Sequence, residues 1–266
     1  MPTRWTAQEE KEKYQELHEL YTVRNLSISE VAKVLGISGA TVYDRLLRLN
    51  IKPEPDKKQR YLNKKEIKLP KYSAELAELV GILLGDGHIS KTKVIVTLGS
   101  KEKGYVNYVK RLFHRIFNQP ANISVRKKGY YDVYFGSVDV VRFFRKMGLV
   151  ENKVLSQVGI PSWTSETDQY RRPLLRGLFD TDGSIYKIRF GYQISFRNRS
   201  RPLLEEARNM LIRMNFSPSR ISSNSVYLTR KSDLNKFNRE IGSYNPSKVR
   251  RLKAWVGTEV VKPGTL

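Results

Sequence analysis

The chain has 266 residues, no Cys, and a formal net charge of +23 from 49 Lys and Arg against 26 Asp and Glu. Without Cys there is no disulfide scaffold, Cys-ligated zinc, iron–sulfur cluster or thiol nucleophile. Only three scattered His remain, which argues against a His-ligated metal. The longest apolar run is too short to span a membrane and no signal pattern is present, so we expect a cytoplasmic protein with no membrane partner. The one-sided charge predicts a nucleic-acid partner.

Residues 1–50 are expected to form a small all-α domain that begins with a helix over Gln8 to Tyr21. The segment that follows has the spacing of two helices joined by a tight turn. Ala32 is small where the helices would cross, and Gly36 supplies a permissive backbone at the turn. Val42 then falls at a core position of the second helix. This pattern resembles helix-turn-helix DNA-binding domains; the alternative is a small helical bundle for protein contacts.

Two serines, Ser29 and Ser38, are candidate N-caps of these helices. The apolar residues are expected to form one core, and they are Val31, Val34, Leu35, Ile37, Val42, Leu46 and Leu49. The remaining side chains of the second helix are left for solvent or for a major groove, and they are Thr41, Tyr43, Asp44, Arg45 and Arg48.

Residues 51–71 contain three Pro and eight Lys and Arg with little periodicity. This composition predicts a basic, extended linker. It is either a solvated spacer or a segment that follows a DNA backbone.

The rest of the chain repeats one design. The sequences ELVGILLGDGHI (78–89) and LLRGLFDTDGSI (174–185) each join an apolar helix to Asp-Gly and an Ile. Predicted strands, a helix, further strands and another helix follow each copy. The pattern predicts an α+β fold with two αββαββα halves, over 72–165 and 166–266. Both halves close with a Lys, which is Lys153 in the first and Lys248 in the second.

Small residues lie four apart on each repeated helix: Gly81 and Gly85 on the first, Gly177 and Thr181 on the second. A Gly inside a helix costs about 1 kcal/mol relative to Ala. Close approach of a second backbone would explain why that cost is tolerated. The two helices are therefore predicted to pack on each other across a pseudo-two-fold axis.

This packing would bring Asp86 and Asp182 together at one end of the helix pair. Two nearby carboxylates repel unless a proton or cation separates them, and hard oxygen ligands favour Mg²⁺. An acidic focus in a basic chain suits metal-assisted phosphodiester hydrolysis. The alternative is that each Asp-Gly only forms a turn.

The two motifs ELVGILLGDG and LLRGLFDTDG resemble the paired motifs of the LAGLIDADG homing endonucleases, and the likeness covers roughly residues 73–255. The resemblance implies two halves whose sheets form a saddle over double-stranded DNA. It implies that Asp86 and Asp182 are catalytic and bind Mg²⁺ or Mn²⁺, helped by the carbonyls of Gly85 and Thr181. Ca²⁺ is expected to bind without supporting cleavage. A long, asymmetric site and a monomer with internal pseudo-symmetry are implied as well.

The resemblance extends more loosely to basic and amide side chains around the metals. Lys153 and Lys248 match the family by internal position, and their implied role is to stabilise developing phosphate charge. The alternative is that they anchor DNA phosphates. Further candidates end the second strand of each half, where the sequence reads Ser100-Lys101 and Asn198-Arg199. The first half lacks an amide there.

The segment 187–199 alternates in polarity and is predicted to offer one face to DNA. Its inward set is Ile188, Phe190, Tyr192, Ile194 and Phe196, and its outward set is Lys187, Arg189, Gln193, Ser195, Arg197 and Arg199. The first half offers a sparser set, Lys91, Lys93 and Thr97, and Lys101 is a further candidate DNA contact there. Two basic runs, Arg126-Lys127-Lys128 and Arg250-Arg251-Lys253, are either phosphate contacts or solvated turns.

Three functions remain open. The first is a Mg²⁺-dependent, sequence-specific DNA endonuclease, which the intact acid pair favours. The second is a non-catalytic DNA-binding regulator on the same fold. The third is a maturase that binds intron RNA. An intein-borne origin is less favoured, because no splicing Cys is present.

Overall fold

The computed structural model of the chain describes residues 6–53, 67–126, 129–189 and 191–257. The chain divides into two compact units, Met1–Glu66 and Ile67–Leu266. The division falls inside the predicted linker, most of which (54–66) lies outside the described residues.

The first unit is helical throughout its described elements. Helix α1 (Ala7–Leu17) continues into a π-helical turn (His18–Val23), and α2 (Ile28–Leu35) and α3 (Gly39–Arg48) follow. The helices enclose a separate core of Leu17, Leu20, Val31, Ala32, Val42, Leu46, Leu49 and Ile51. The expectation that Val34 belongs to this core is wrong: 61% of its surface is exposed, because it lies on the outer side of α2.

The ends of α2 and α3 are set by specific side chains. Ser27, and not Ser29 as expected, caps α2 in a reciprocal capping box with Glu30, which leaves Ser29 inside the first turn. Gly36 ends α2 with a left-handed φ of 65°. Ser38 caps α3 as predicted.

The second unit contains both repeats. The first comprises α4 (Ala74–Asp86), β1 (Gly87–Ile89), β2 (Lys93–Leu98), α5 (Lys103–Phe117), β3 (Asn122–Val125), β4 (Tyr131–Gly136) and α6 (Val138–Lys146). A 3-10 turn (Ser162–Ser165) precedes the second repeat. That repeat comprises α7 (Asp168–Asp182), β5 (Gly183–Ile188), β6 (Gly191–Arg197), α8 (Arg201–Arg213), β7 (Ser225–Leu228), α9 (Lys231–Glu240) and α10 (Pro246–Gly257).

Each repeat builds one antiparallel sheet, in the order β1-β2-β4-β3 in the first and β5-β6-β7 in the second. The α+β class with two related halves is thus confirmed. The second half has one described strand fewer than αββαββα requires. The described segment before β7 forms no strand: its backbone pairs with β7 through the hydrogen bond from Ser219 N to Tyr227 O and through an isolated bridge in which Ser222 and Ser225 exchange two hydrogen bonds. Pro218 has no N–H to donate there, which disfavours a regular strand.

The alternating segment 187–199 is a hairpin and not a continuous strand. Ile188 pairs with Gly191 across the turn, and Phe190 lies outside the described residues. Ser195 was expected to face outwards into solvent, but only 7% of its surface is exposed. It sits on the central strand, with Ser184 and Tyr227 paired on either side, and these neighbours cover it.

Helices α4 and α7 pack on each other through their small residues, as predicted. A Cβ atom at Gly81 would collide with the Leu174 carbonyl, and one at Gly177 would collide with the Glu78 carbonyl. Nine consecutive residues of α4, from Leu76 to Leu84, are buried. No helix among the described residues is long and apolar enough to cross a membrane.

Candidate functional site

Asp86 and Asp182 are the last residues of α4 and α7, and each is followed at once by a strand. The change from helix to strand occurs at Gly87 and Gly183, both with extended backbones. A Cβ at Gly87 would collide with the backbone of Leu83, so the abrupt change requires glycine. The Asp-Gly dipeptide therefore fixes each carboxylate at a junction of helix and sheet.

The two acids lie close enough to affect each other's ionisation. Asp86 is open to solvent, but the protein atoms around its carboxylate remove part of its hydration. This desolvation, together with the charge of Asp182, raises the pKa of Asp86 to about 6. Desolvation also raises the pKa of Asp182. The arrangement is a focus of negative charge that a cation would relieve.

Each acid has a lysine beside it, and the lysine caps the helix that carries the acid. Lys153 Nζ donates to the carbonyls of Leu83 (3.0 Å), Leu84 (3.1 Å) and Gly85. These are carbonyls of the last turn of α4, where a cation also offsets the helix dipole.

Lys248 repeats this arrangement on α7. Its Nζ donates to the Phe179 carbonyl and to the Thr181 carbonyl at 3.3 Å. Burial lowers the pKa of Lys248 to about 8 and also lowers the pKa of Lys153, while the nearby carboxylates oppose both shifts. The four residues predicted to be catalytic, Asp86, Asp182, Lys153 and Lys248, are therefore brought together, and both lysines act on both acids.

The two halves differ at the acids themselves. Asn198 Nδ2 donates to Asp182 Oδ2 at 2.5 Å, and this hydrogen bond opposes the rise in the Asp182 pKa. Asn198 lies two residues beyond Phe196, which pairs with Gly183.

In the first half, Val96 pairs with Gly87, and the residue two positions further on is the buried Leu98. Among the described residues, none donates a hydrogen bond to the Asp86 carboxylate. The first half thus lacks the amide, as expected, and the core residue Leu98 stands at the position equivalent to Asn198.

A polar turn before α10 makes contacts that the sequence did not predict. Asp180 accepts hydrogen bonds from Ser243 and from the backbone of Tyr244, and Asn245 donates to Glu102 at 2.7 Å. Asp180 is 2% exposed, and burial raises its pKa to about 6. Its contacts fix the turn that leads to Lys248, so they hold that lysine in place. The sequence signal was the polar run GSYN immediately before a Pro.

A buried ion pair was also missed. Arg176 on α7 donates to Glu78 on α4 at 2.7 Å, and Tyr108 donates to the other carboxylate oxygen. Glu78 is 3% exposed, and the Arg176 guanidinium lies 4.4 Å from the ring centroid of Tyr244. The sequence signal for this ion pair was Glu78, which lies among the apolar residues of α4.

The repeated pattern matches a known family along most of this unit. A family model described as "LAGLIDADG-like domain" matches residues 73–148 and 169–242. The chain belongs to this LAGLIDADG-like family.

Two curated relatives share the segment. The chain is 30% identical over 196 residues to the replication factor C small subunit of Methanocaldococcus jannaschii. The aligned region covers 68% of this chain and 10% of that protein. The chain is 24% identical over 212 residues to the glutamine–fructose-6-phosphate aminotransferase of the same organism. That aligned region covers 71% of this chain and 18% of the aminotransferase. The chain thus spans less than a fifth of either relative.

Solved structures of LAGLIDADG proteins are similar at lower identity. One is the homing endonuclease I-WcaI bound to its DNA recognition sequence, at 17% identity, with 75% of this chain and 94% of that chain covered and a TM-score of 0.48. Another is the N-terminal LAGLIDADG domain of DUF199/WhiA, at 17% identity, with 66% and 87% covered and a TM-score of 0.48.

The predicted DNA contacts of the LAGLIDADG halves are mostly at the surface. Gln193 is half-buried and accepts a hydrogen bond from the Tyr186 hydroxyl at 2.6 Å. The exposed candidates are Lys91, Lys93, Lys101, Lys187, Arg189, Arg197 and Arg199. Arg126, a candidate phosphate contact, donates to Asp132 at 2.7 Å and to Thr97 at 3.3 Å on the outer face of the first sheet, and Lys127 and Lys128 lie outside the described residues.

In the first unit, the predicted contact residues lie on α3. Tyr43 is exposed, while Thr41 and Arg45 are half-buried. The Thr41 hydroxyl is already hydrogen-bonded to Ser38 at 2.8 Å. Arg48 is exposed but lies 3.7 Å from Glu10 on α1, so part of its charge is offset within the unit.

A metal at this centre would be bound by few protein side chains. Among the described residues, no group of three or more His, Cys, Asp and Glu could hold an ion. The donors available near the helix ends are the carboxylates of Asp86 and Asp182 and the carbonyls of Gly85 and Thr181. Mg²⁺ sites of this kind use one or two carboxylates and complete the shell with water and substrate phosphates.

Proposed function

We propose that this protein is a sequence-specific DNA endonuclease that cuts both strands at a centre built from Asp86 and Asp182. The observation that carries the proposal is the placement of the two acids at adjoining helix ends, where desolvation and then the charge of Asp182 raise the pKa of Asp86. Such repulsion has no structural benefit of its own. It suits a centre that binds a divalent cation.

The donor set fits Mg²⁺ or Mn²⁺. Both carboxylates and both carbonyls are hard oxygen ligands. The Gly85 and Thr181 carbonyls accept hydrogen bonds from Lys153 and Lys248, but a carbonyl oxygen has a second lone pair. When bound, the metal would supply a water of lowered pKa and a positive charge at the leaving oxygen. We expect Ca²⁺ to occupy the same ligands without supporting cleavage.

The surrounding residues have distinct roles in this proposal. Asn198 orients the Asp182 carboxylate. Lys153 and Lys248 hold the ends of α4 and α7 and place two ammonium groups beside the acids, where they would stabilise charge developing on a phosphate.

The proposed substrate is double-stranded DNA lying across the outer faces of the two sheets. The chain's charge of +23 and the exposed Lys and Arg on those faces favour phosphate contacts. Since the two halves differ in sequence and in strand number, we infer a long asymmetric site and a monomer that supplies both halves. The first unit is consistent with the same substrate: its succession of α2, a left-handed Gly36 and α3 fits a helix-turn-helix, which would offer α3 to a major groove.

The two curated relatives support the proposal that the matched segment has a function of its own. A replication factor and an aminotransferase have no named activity in common, yet each carries a match covering about two thirds of this chain. Neither named activity accounts for the shared segment. This fits an endonuclease whose activity does not depend on the protein in which the segment lies.

The second candidate is a non-catalytic DNA-binding regulator. It is favoured by the contacts of Lys153, whose ammonium already lies against the Gly85 carbonyl that the metal would use. The third candidate, an intron RNA maturase, is supported only by the basic charge.

Cleavage selection on a randomised duplex library separates the candidates. The endonuclease releases cut sequences with Mg²⁺ and none with EDTA, and those sequences define its site. A regulator retains DNA and never cuts it, whereas a maturase prefers structured RNA in competition. Asp86→Asn and Asp182→Asn should keep DNA binding and lose double-strand cleavage.

A further inference from the structure

Helix α5 presents a basic face that points away from the sheet. Its buried face includes Tyr105, Val109 and Phe113, and the Phe113 ring stacks on Phe135 of β4 at 5.9 Å. The opposite face of α5 is exposed along its length. It carries Lys103, Lys110, Arg111 and Arg115, with Asn107 and His114 between them.

This face cannot touch DNA that lies on the outer face of the first sheet. Val94 and Phe135 point inwards to α5, whereas Ile95, Thr97 and Tyr134 point to the other side. A packed layer is about 10 Å from the next, and a helix with its side chains is about 10–12 Å across. The α5 cations are therefore separated from the sheet's outer face by the whole thickness of the half.

The charge of α5 is unbalanced. Its 15 residues contain four Lys and Arg and no Asp or Glu. In the part of the chain that the structure describes, none of these four cations forms an ion pair with an acidic side chain. Arg115 does lie 5.8 Å from the ring centroid of Tyr108.

Helix α8 occupies the equivalent place in the second half and serves as an internal comparison. Its 13 residues contain three Arg and two Glu. Arg201 pairs with Glu205 at 2.7 Å, and Arg208 donates to the Ser219 carbonyl at 2.8 Å. If basic charge served only solubility, both helices would be expected to carry it. Of these two equivalent helices, only α5 carries basic residues without any acid.

The dimensions of the α5 face match a DNA backbone. From Lys103 to Arg115 the helix rises about 18 Å, at about 1.5 Å per residue. Duplex DNA carries about one phosphate charge per 1.7 Å, so about ten phosphates lie within this span. Four cations with no acid among them are complementary to such a surface.

We propose that the exposed face of α5 binds the phosphate backbone of a second segment of double-stranded DNA while the sheets hold the first. The inference rests on the proposed function, which places the first duplex on the sheets. Its consequence is that one protein molecule bridges two duplexes and moves between them during target search.

The test is a capture assay with the full chain. One random-sequence duplex is fixed to beads, and a second, fluorescent duplex is recovered only if protein bridges the two. We expect wild type to capture it and Lys110→Glu/Arg111→Glu to capture about tenfold less, because each lost phosphate contact weakens binding and added acids repel DNA. The affinity for the bead-bound duplex alone should stay unchanged.

Arg213→Glu on α8 is the matched control for Arg111→Glu made alone, since each exchanges one exposed arginine on equivalent helices. The control should capture like wild type, and thermal melting confirms that all variants fold. Lys110→Gln/Arg111→Gln gives a second, milder variant that should show a smaller loss.

Equal capture by the α5 variants would overturn the proposal and assign the bridging to another surface, such as the first unit. Displacement of the second duplex by structured RNA at far lower concentration than by DNA would identify RNA as the occupant and would also overturn it. A wild type that binds the bead duplex but bridges nothing refutes this inference alone. A wild type that binds no duplex refutes the proposed function with it.

Discussion

Asn198 donates a 2.5 Å hydrogen bond to Asp182, while the described residues offer no equivalent donor to Asp86. The carboxylates of the two acids therefore differ in their hydrogen bonding. The Asn198 amide fixes the orientation of the Asp182 carboxylate. No hydrogen bond from a described residue fixes the orientation of the Asp86 carboxylate. Because the donor favours the charged carboxylate, its removal should raise the pKa of Asp182.

The first prediction follows from that contact. Asn198→Ala should raise the Asp182 pKa and weaken Mn²⁺ binding at that acid, while the pKa of Asp86 changes little. Carboxyl titration by NMR and Mn²⁺ titration by electron paramagnetic resonance measure the two effects. Asn209→Ala, at an exposed position of α8, is the control. An unchanged Asp182 titration would show that the hydrogen bond does not exist in solution.

The second prediction concerns stability and pH. The folded pKa of Asp86 is about 6, above its ordinary 3.8, so the folded state binds more protons between these values. The free energy of unfolding therefore falls as pH rises from about 4 to 6, and the loss persists above pH 6. Asp86→Asn removes this loss and should stabilise the metal-free protein at pH 7.5 by about 1 kcal/mol, a figure reduced for solvent exposure.

The gain should disappear below about pH 4, where the folded and unfolded carboxylates are both protonated. Thermal melting across the pH range measures it, with Asp139→Asn at an exposed ion pair as the control. An Asp86→Asn protein that melts below wild type at pH 7.5 would contradict the raised pKa of Asp86.

The third prediction concerns the lysine caps. Lys153→Met leaves the carbonyls of Leu83, Leu84 and Gly85 without their ammonium donor, and we expect a loss of about 1–3 kcal/mol. The Asp86 pKa should rise further, because Lys153 now lowers it. Denaturant unfolding and carboxyl titration test both effects. Lys253→Met, on the exposed side of α10, should leave both quantities unchanged; a matching result for the two variants would remove the capping role.

The fourth prediction concerns the pair that joins the halves. Arg176→Met leaves the Glu78 carboxylate buried without its counter-ion, and we expect a loss of about 3–5 kcal/mol. Replacing both residues by Met should cost less than the sum of the two single changes, because neither charge is then left alone. Denaturant unfolding of the double-mutant cycle measures the coupling. Additive losses would mean that the two groups do not interact.

The features that followed from the sequence are local or periodic. Ser38 as a cap, Gly36 at a turn and the facing glycines Gly81 and Gly177 each depend on neighbours along one helix or on a repeated pattern. The pattern predicts a strand around Ile221 that does not form, because Pro218 has no N–H to donate to β7.

The contacts that were missed join residues far apart in the chain. Glu78 and Arg176 meet only because α4 and α7 cross at the glycines, and the two residues are not at equivalent repeat positions. The contact of Asn198 with Asp182 depends on the β5–β6 register, which periodicity does not fix. The lysines were located by their place in the repeat, but their hydrogen bonds to helix carbonyls depend on side-chain placement.

The most direct test of the central claim is strand-resolved cleavage of the DNA site recovered from the library, comparing wild type with Asp86→Asn and with Asp139→Asn. The proposed endonuclease cuts both strands with Mg²⁺ and not with Ca²⁺ or EDTA. Asp86→Asn then binds with unchanged affinity and makes no double-strand break, while Asp139→Asn cuts like wild type. Double-strand cleavage by Asp86→Asn at the wild-type rate would contradict the assignment of this centre.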